Sequence, residues 1–345
     1  MVRGMNEPIR VLRWTRPQHP KKLLAIRLQA LGDTVITLPY LQALRNSLPT
    51  TRIDFLTREE FQDLPRNLKM FHRVHTIGGG RETAGQFAST VNLLPQLRRE
   101  KYDVVIDLQR NALSCFVRRL VHPRSFSEFD RFSANSAGER TRKTINELGL
   151  EPIDESTPPL HLRDEYRGME KLAANGYNPS KFLIVLNPAG SFVTRLWPLK
   201  NYLEFALRWK EKLDPDVQFI ILGLNTIMEK ALVLKSTLGD RLINMVGTTT
   251  TSEAFNILRH ANLVLSEDSG LLHMAWVAGV PTVALFGSTR SVWSKPLGKR
   301  SVCLDSSDLE CGECLQPTCQ FGDVRCLTRH TSEFVLDVAR RLLAG

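Results

Sequence analysis

The stretch LLAIRLQALGDTVITLPYLQALR (Leu23–Arg45) passes from a short apolar run through a loop holding one glycine and one carboxylate into a helix-length segment. Lys22–Leu28 reads as a strand, and Thr34–Leu48 as a helix with Val35, Leu38, Leu41 and Leu48 on related faces. Asp33 is placed as the N-cap of that helix, and Pro39 as a kink in its second turn. The strand-to-helix unit recurs outward from this point. Arg52–Thr57, Arg73–Ile77 and Tyr102–Leu108 are further strands in the first half. After the polar stretch Ala174–Ser180 a second series begins, with strands Phe182–Asn187, Val217–Gly223, Leu263–Ser266 and Thr282–Phe286. Helices are expected at Leu199–Lys212, Thr226–Leu238, Ser252–His260, Leu271–Ala278 and Ser332–Leu343. Such alternation predicts an α/β protein of two doubly wound parallel-sheet units joined near residue 178. Ligands of these folds bind beyond the carboxyl ends of the strands, so the chemistry is sought in those loops.

Composition narrows the partners. The chain has 345 residues, 42% apolar and 24% charged, which excludes a disordered chain, a collagen or a disulfide mini-scaffold. No apolar run is long enough for a membrane-spanning helix. Residues 1–20 form a basic extension carrying Arg3, Arg10, Arg13, Arg16 and His19 without an apolar core, unlike a secretory signal. Six cysteines in a chain of this length point to a reduced, cytosolic protein. The net charge of +10 is concentrated in residues 1–180, where 28 basic side chains face 20 acidic ones. That excess serves either solubility or an anionic partner such as nucleic acid, a membrane surface or an acidic substrate.

Four loops have the residue types for chemistry. Gln29-Ala30-Leu31-Gly32-Asp33-Thr34 lacks the G-x-G-x-x-G spacing of a dinucleotide site. It displays Asp33, which either caps the helix or takes a proton from a hydroxyl placed beside it. In the second loop, Asn187–Pro198, small residues let backbone N–H groups approach an anion; Ser191 and Thr194 add hydroxyls, and Arg195 adds a fork suited to phosphate. The third, Ser266–His273, sets Asp268, Ser269, Gly270 and Leu271 at a helix N-terminus, an anion site reinforced by the helix dipole, with His273 one turn on. Its alternative is an acidic cap followed by a half-buried histidine. Gly247 and Thr248 offer further donors to a nucleotide. The fourth is the run Cys311, Cys314, Cys319 and Cys326, either a structural tetrahedral zinc or iron site or a loop of reduced thiols. Cys115 and Cys303 are expected in the interior.

Taken in order, LLAIRLQALGDTVITLPYLQALR (Leu23–Arg45), YDVVIDLQRNALS (Tyr102–Ser114), LNPAGSFVTRLWP (Leu186–Pro198), SEDSGLLHMAWVAGVPTVALFG (Ser266–Gly287) and the cysteine run resemble glycosyltransferase family 9, the lipopolysaccharide heptosyltransferases. The resemblance runs from about Lys22 to Leu343 and is nearest the heptosyltransferase II branch. It implies a GT-B fold, two Rossmann-like domains facing across a cleft. The implied acceptor domain is 21–175, the nucleotide-sugar domain with the cysteine cluster 180–330, and 331–345 a helix crossing back toward the first domain. It further implies inverting transfer of heptose from ADP-heptose to the inner core of a lipid A–oligosaccharide at the inner membrane face. Protein or other-glycan acceptors, and a binding protein without transfer activity, are the alternatives. Asp33 matches the family's proposed base; Ser191, Asp268, Ser269, Gly270 and His273 fall in its donor motifs; Gly32, Gln109 and Asn111 are placed with the acceptor. No cofactor is expected for catalysis, although protein-modifying relatives hold iron with four cysteines. The family commonly has lysine where Arg195 stands. Under this reading the basic first half meets an anionic acceptor and the membrane surface, and no nucleic-acid partner is expected.

Overall fold

The computed structural model describes residues 8–154 and 158–345, which divide into two units at Arg163/Asp164. In the first unit the strands are β1 (Val11–Leu12), β2 (Lys22–Ile26), β3 (Arg52–Arg58), β4 (Arg73–Ile77), β5 (Val104–Asp107) and β6 (Ser125–Glu128). They form one sheet in the order β1-β6-β5-β2-β3-β4, parallel except for the antiparallel β1–β6 edge. Its helices are α1 (Leu31–Ser47), α2 (Asp63–Asn67), α3 (Thr83–Glu100), α4 (Ala112–Val121) and α5 (Ala137–Asn146). The apolar runs that mark β2, β3 and β5 put Leu24, Ile26, Leu56 and Val105 fully inside, against Leu97 of α3 and Val117 of α4.

The second unit repeats the plan with an all-parallel sheet. Its strands are β7 (Leu183–Asn187), β8 (Gln218–Ile221), β9 (Leu242–Asn244), β10 (Leu263–Glu267), β11 (Thr282–Leu285) and β12 (Ser301–Leu304), in the order β12-β11-β10-β7-β8-β9. The helices are α6 (Arg167–Ala174), α7 (Leu199–Lys212), α8 (Met228–Leu238), α9 (Thr251–Leu258), α10 (Gly270–Val277), α11 (Ser291–Ser294), α12 (Arg325–Thr328) and α13 (Ser332–Ala344). The first parallel strand of each sheet, β2 in one and β7 in the other, thus lies near the middle with a crossover to either side, the arrangement that opens a ligand crevice at the carboxyl strand ends.

Three boundaries differ from those the sequence suggests. The division falls at residue 163, not near 178, because α6 packs with the second unit. Gly168 approaches the backbone of α9 so closely that a Cβ would lie 2.6 Å from the Glu253 carbonyl, and Lys171 Nζ meets Glu253 Oε2 at 2.6 Å. The last helix packs on the second unit: Val335, Leu336 and Ala339 are buried in the core formed by Phe205 and Trp209 of α7 with β11. The basic extension is partly sheet, since Val11 and Leu12 pair with Ser127 and Phe126; residues 1–7 of that extension lie outside the described residues. The strands β6, β9 and β12 were not expected from the sequence: β9 and β12 have only the short apolar runs Leu242-Ile243 and Val302–Leu304, and β6 has none. In β6, Ser125, Ser127 and Glu128 are buried, Ser125 and Glu128 with polar partners, so hydropathy alone reads it as loop.

A buried polar network holds the base of the first sheet. Asp54 in β3 accepts from the Tyr102 hydroxyl at 2.7 Å and from Arg52 at 3.0 and 3.2 Å, and His75 Nε2 lies 3.0 Å from the same hydroxyl. Burial pushes the Asp54 carboxyl up, but its bonds from His75, Arg52 and Tyr102 outweigh that and hold it at about 2, below its ordinary 3.8. A lowered carboxyl stabilises the fold above the unfolded pKa and loses that contribution as pH falls through the folded one. Between about pH 4 and 2 the first unit should therefore lose ~2 kcal/mol that Asp54→Asn never has; acid titrations of both proteins followed by circular dichroism check this.

Candidate functional site

The first candidate loop lies at the carboxyl end of β2. Helix α1 starts earlier than its pattern suggests: Ala30 is the N-cap, and Asp33 is the third helical residue. The carboxylate is therefore not the cap itself. Its Oδ2 reaches back to the Ala30 N–H at 3.2 Å and takes Nη2 of Arg27 at 2.8 Å. Oδ1 has no partner among the described residues, and the side chain is 41% exposed, so one oxygen is anchored and the other is presented outward. Arg27 is itself buried, donates to the Leu108 carbonyl, and lies 5.0 Å from the centre of the Phe129 ring. Arg140 lies 5.1 Å from the same ring. Burial, then repulsion from Arg27, lowers the Arg140 pKa, while Asp33 and Asp130 act against that shift. Two guanidiniums and the carboxylates of Asp33 and Asp130 thus form one charged cluster around the Phe129 ring.

Sequence reading missed Arg27 and Arg140. The signal for Arg27 is a charged residue directly after the apolar run Leu23–Ile26, where a buried position needs an ion-pair partner nearby. Gln109 and Asn111, expected at an acceptor, each hold a loop in shape. Gln109 Oε1 accepts the N–H groups of Leu28 and Gln29 at 2.9 and 3.0 Å, tying the loop after β2 to the loop after β5. Asn111 is the N-cap of α4, accepting from Ser114 N at 2.8 Å in a capping box. Gly32 lies half-buried in the first turn of α1.

In the second unit the loops after β7 and β10 form one site. Asn187, the last residue of β7, donates through Nδ2 to Ser266 Oγ and Ser269 Oγ, both at 2.7 Å. Ser269 caps α10 by accepting from Leu272 N at 3.3 Å, leaving Gly270 and Leu271 at the open, positive end of the helix. Arg195 Nη1 lies 3.5 Å from Asp268 Oδ2, and Asp268 Oδ1 lies 3.9 Å from His273 Nε2. Asp268 thus joins a cation from one loop to the histidine of the other. The Arg195 guanidinium lies 5.2 Å from the Phe192 ring centre, and its Nε is buried without a hydrogen-bond partner among the described residues. Ser191 is exposed on the same loop.

Glu267, which sequence reading passed over, holds this loop in shape. The buried carboxylate accepts Gly190 N on Oε2 and Trp197 N on Oε1, each at 2.7 Å, so it clamps the loop at both ends. Burial pushes its carboxyl up to about 7, with the two N–H groups and Lys230 pulling the other way. Gly190 is required for this closeness: a Cβ there would lie 2.3 Å from the Arg195 carbonyl oxygen. An acidic residue ending the apolar strand Leu263–Ser266 was the available signal.

Three expected donor residues have their polar atoms occupied. Thr194 is buried, its Oγ1 2.9 Å from Ser288 Oγ and donating to the Gln316 carbonyl at 2.6 Å; it braces the loop from behind. Gly247 gives its N–H to the Gly223 carbonyl at 2.8 Å, in a left-handed turn with φ +72°, and Thr248 Oγ1 donates to Met245 O at 2.9 Å. They form the turn after β9, two strands from the loop after β7.

The four clustered cysteines line one cavity of about 220 Å³. Among the described residues no three His, Cys, Asp or Glu side chains are arranged to hold a metal ion, so these thiols as placed do not fit zinc or iron. The sulfur of Cys319 faces Asp323 Oδ1 at 3.8 Å. Cys326 faces the carbonyl of Val324 at 3.7 Å, and burial, then the neighbouring thiols, pushes it up to about 11. The thiol of Cys319 is lowered by the N–H groups of Val324, Phe321 and Gly322. No helix of the described residues is long and apolar enough to cross a membrane.

Comparison with known proteins identifies the kind of chain these loops belong to. Residues 90–325 match the family model described as glycosyltransferase family 9 (heptosyltransferase). The sequence is 24% identical over 323 residues to lipopolysaccharide heptosyltransferase 1 of Pseudomonas aeruginosa, covering 87% of this chain and 88% of that one. The crystal structure of a family 9 glycosyl transferase from Veillonella parvula superposes with a TM-score of 0.78 at 20% identity, over 94% of this chain and 97% of that one. The E. coli ADP-heptose heptosyltransferase II structure gives 0.75 at 18% identity, over 94% and 98%.

Proposed function

The chain belongs to glycosyltransferase family 9, and from that premise we propose that it transfers heptose from ADP-heptose to the inner core of a lipopolysaccharide, with inversion at the anomeric carbon. The observation that carries this reading is Arg195, fixed by Asp268 beside the open end of α10, where a diphosphate is bound by a guanidinium and helix N–H groups together. In the reaction an acceptor hydroxyl oxygen attacks the anomeric carbon as the bond from that carbon to the diphosphate oxygen breaks. The hydroxyl proton passes to Oδ1 of Asp33, and ADP departs with the bonding electron pair. Arg27 is a positioning residue: by holding Oδ2 it leaves Oδ1 as the basic atom. Arg195, Ser191 and the N–H groups of Gly270 and Leu271 receive the charge that builds on the leaving diphosphate. His273 supports them through Asp268.

This reading assigns the acceptor to the first unit and the donor to the second. The acceptor's phosphates and carboxylates meet the half-buried guanidinium of Arg140, and the basic excess of that half extends to peripheral contact with an anionic membrane face. Because chain cations serve the diphosphate, prolonged dialysis against EDTA should leave the transfer rate within about twofold of its starting value. Loss of activity that returns with a divalent cation would contradict this. The donor assignment is tested by calorimetric titration with ADP, UDP and GDP of wild type and of Arg195→Ala. ADP should bind most tightly, and the variant should bind it about 10–100-fold more weakly, the scale of one or two charge-assisted hydrogen bonds. Equal affinity for the three nucleotides, or an unchanged variant, would count against the site.

A further inference from the structure

At the amino ends of β3 and β4, on the opposite side of the first sheet from Asp33, lies a cavity of about 410 Å³ that the proposed reaction does not use. A second cavity, of about 470 Å³, shares Arg45, Lys69 and Met70 with it. Arg45 is in the last turn of α1, twelve residues beyond Asp33, which separates the two by about 18 Å along the helix. The floor is apolar, with Met70 and Phe71 almost fully buried.

The charges around this floor are unbalanced. Arg45 Nη1 donates to the Thr51 carbonyl at 2.6 Å, and Arg163 Nη2 to the Phe71 carbonyl at 2.6 Å. Both guanidiniums are thereby oriented by backbone carbonyls, which neutralise no charge, and each keeps further N–H groups to offer. Lys69 is exposed on the same rim. Among the described residues no Asp or Glu lines either cavity, and none forms an ion pair with Arg45, Lys69 or Arg163. Among the described residues the lining cation with carboxylate partners is Arg52, engaged by Asp54 and Glu100. Surface arginines normally find a carboxylate or point into water; two fixed at the mouth of one cavity, with a lysine, make a recess of fixed positive charge.

We propose that this recess is a second anion site, independent of the donor and acceptor loops, that binds a phosphate group on Arg45, Lys69 and Arg163. Phosphate fits better than a carboxylate. It carries up to two charges against the three cations, and its oxygens match two guanidinium forks and an ammonium. The volume admits a phosphate with a small organic body over Met70 and Phe71. The group comes either from a soluble phosphate compound or from a phospholipid headgroup.

The test compares wild type, Lys69→Gln/Arg163→Gln, and the control Arg99→Gln/Arg119→Gln, which removes the same charge from exposed positions elsewhere in the first unit. Each is titrated with inorganic pyrophosphate by calorimetry. Each is also sedimented with vesicles of phosphatidylcholine alone or mixed equally with phosphatidylglycerol. Pyrophosphate held at the donor loops is common to all three and cancels. The site variant should lose one binding event, or at least tenfold in affinity, that the control keeps. Loss in the calorimeter alone identifies a soluble ligand, and loss on the mixed vesicles identifies the headgroup. Equal behaviour of the site variant and the control in both arms overturns the proposal. Melting curves establish that the variants fold, and Lys69→Glu, a single exposed change, gives the same comparison if the double variant does not.

Discussion

Asp33→Asn is expected to lower turnover by about 10²–10⁴-fold, the usual contribution of a general base, while ADP affinity stays within about twofold. The substitution isolates the base. An asparagine oxygen still accepts the Ala30 N–H, so the start of α1 is kept, and the donor loops belong to the other unit. What is lost is the proton acceptor at Oδ1 and the charge that pairs with Arg27. The effect should therefore fall on kcat and leave the donor KM nearly unmoved, as for an interaction made in the transition state. A purified Asp33→Asn protein that transfers heptose at a near-normal rate would remove Asp33 from the mechanism.

The second large effect is expected at Glu267. Glu267→Ala leaves the N–H groups of Gly190 and Trp197 buried without acceptors, at ~1–3 kcal/mol each. The loop they anchor carries Ser191 and Arg195, so donor affinity should fall about 10–100-fold, with the loss in KM larger than in kcat. Protonation links the same residue to pH. Its carboxyl is raised from 4.5 to about 7, so between these values the folded protein holds a proton that the unfolded chain has released. Folding stability therefore falls as pH rises through that window, by ~3 kcal/mol from this group, and flattens above it. Glu267→Gln does not titrate. The difference in melting temperature between wild type and Glu267→Gln should move in the variant's favour from about pH 5 to about pH 8. A difference constant over that range would mean that Glu267 keeps an ordinary carboxyl in the fold.

The two parallel sheets were legible because their central strands are short apolar runs followed by helices with one apolar face. Leu23–Ile26 and Leu183–Leu186 could be little else. Edge elements were less legible. β6 is stabilised by Arg118 and Arg110 at Glu128, and a strand that depends on ion pairs has no hydropathy signature. The loops after β2, β7 and β10 fall at the carboxyl ends of strands as expected, but individual roles were not all readable. Thr194, Gly247 and Thr248 are residue types that bind phosphate in other settings; here Thr194 braces its loop and the other two close a turn, a distinction made only by three-dimensional partners. The converse holds for Arg27 and Glu267. Each is a charge in or at the end of an apolar run, and each acts by holding a functional loop instead of facing the ligand. Buried charges at the carboxyl ends of strands were the overlooked pattern, and both sheets have one. The cysteine spacing was the opposite case, suggesting a metal-ligand set that the placed thiols do not form.

The most direct test of the account incubates the purified protein with ADP-heptose and a core-truncated lipopolysaccharide, and follows both products by mass spectrometry. The account predicts release of ADP together with a gain of one heptose residue on the lipopolysaccharide, and neither product with Asp33→Asn over the same interval. ADP released without that gain, or no reaction with an acceptor and donor shown to bind, would contradict it.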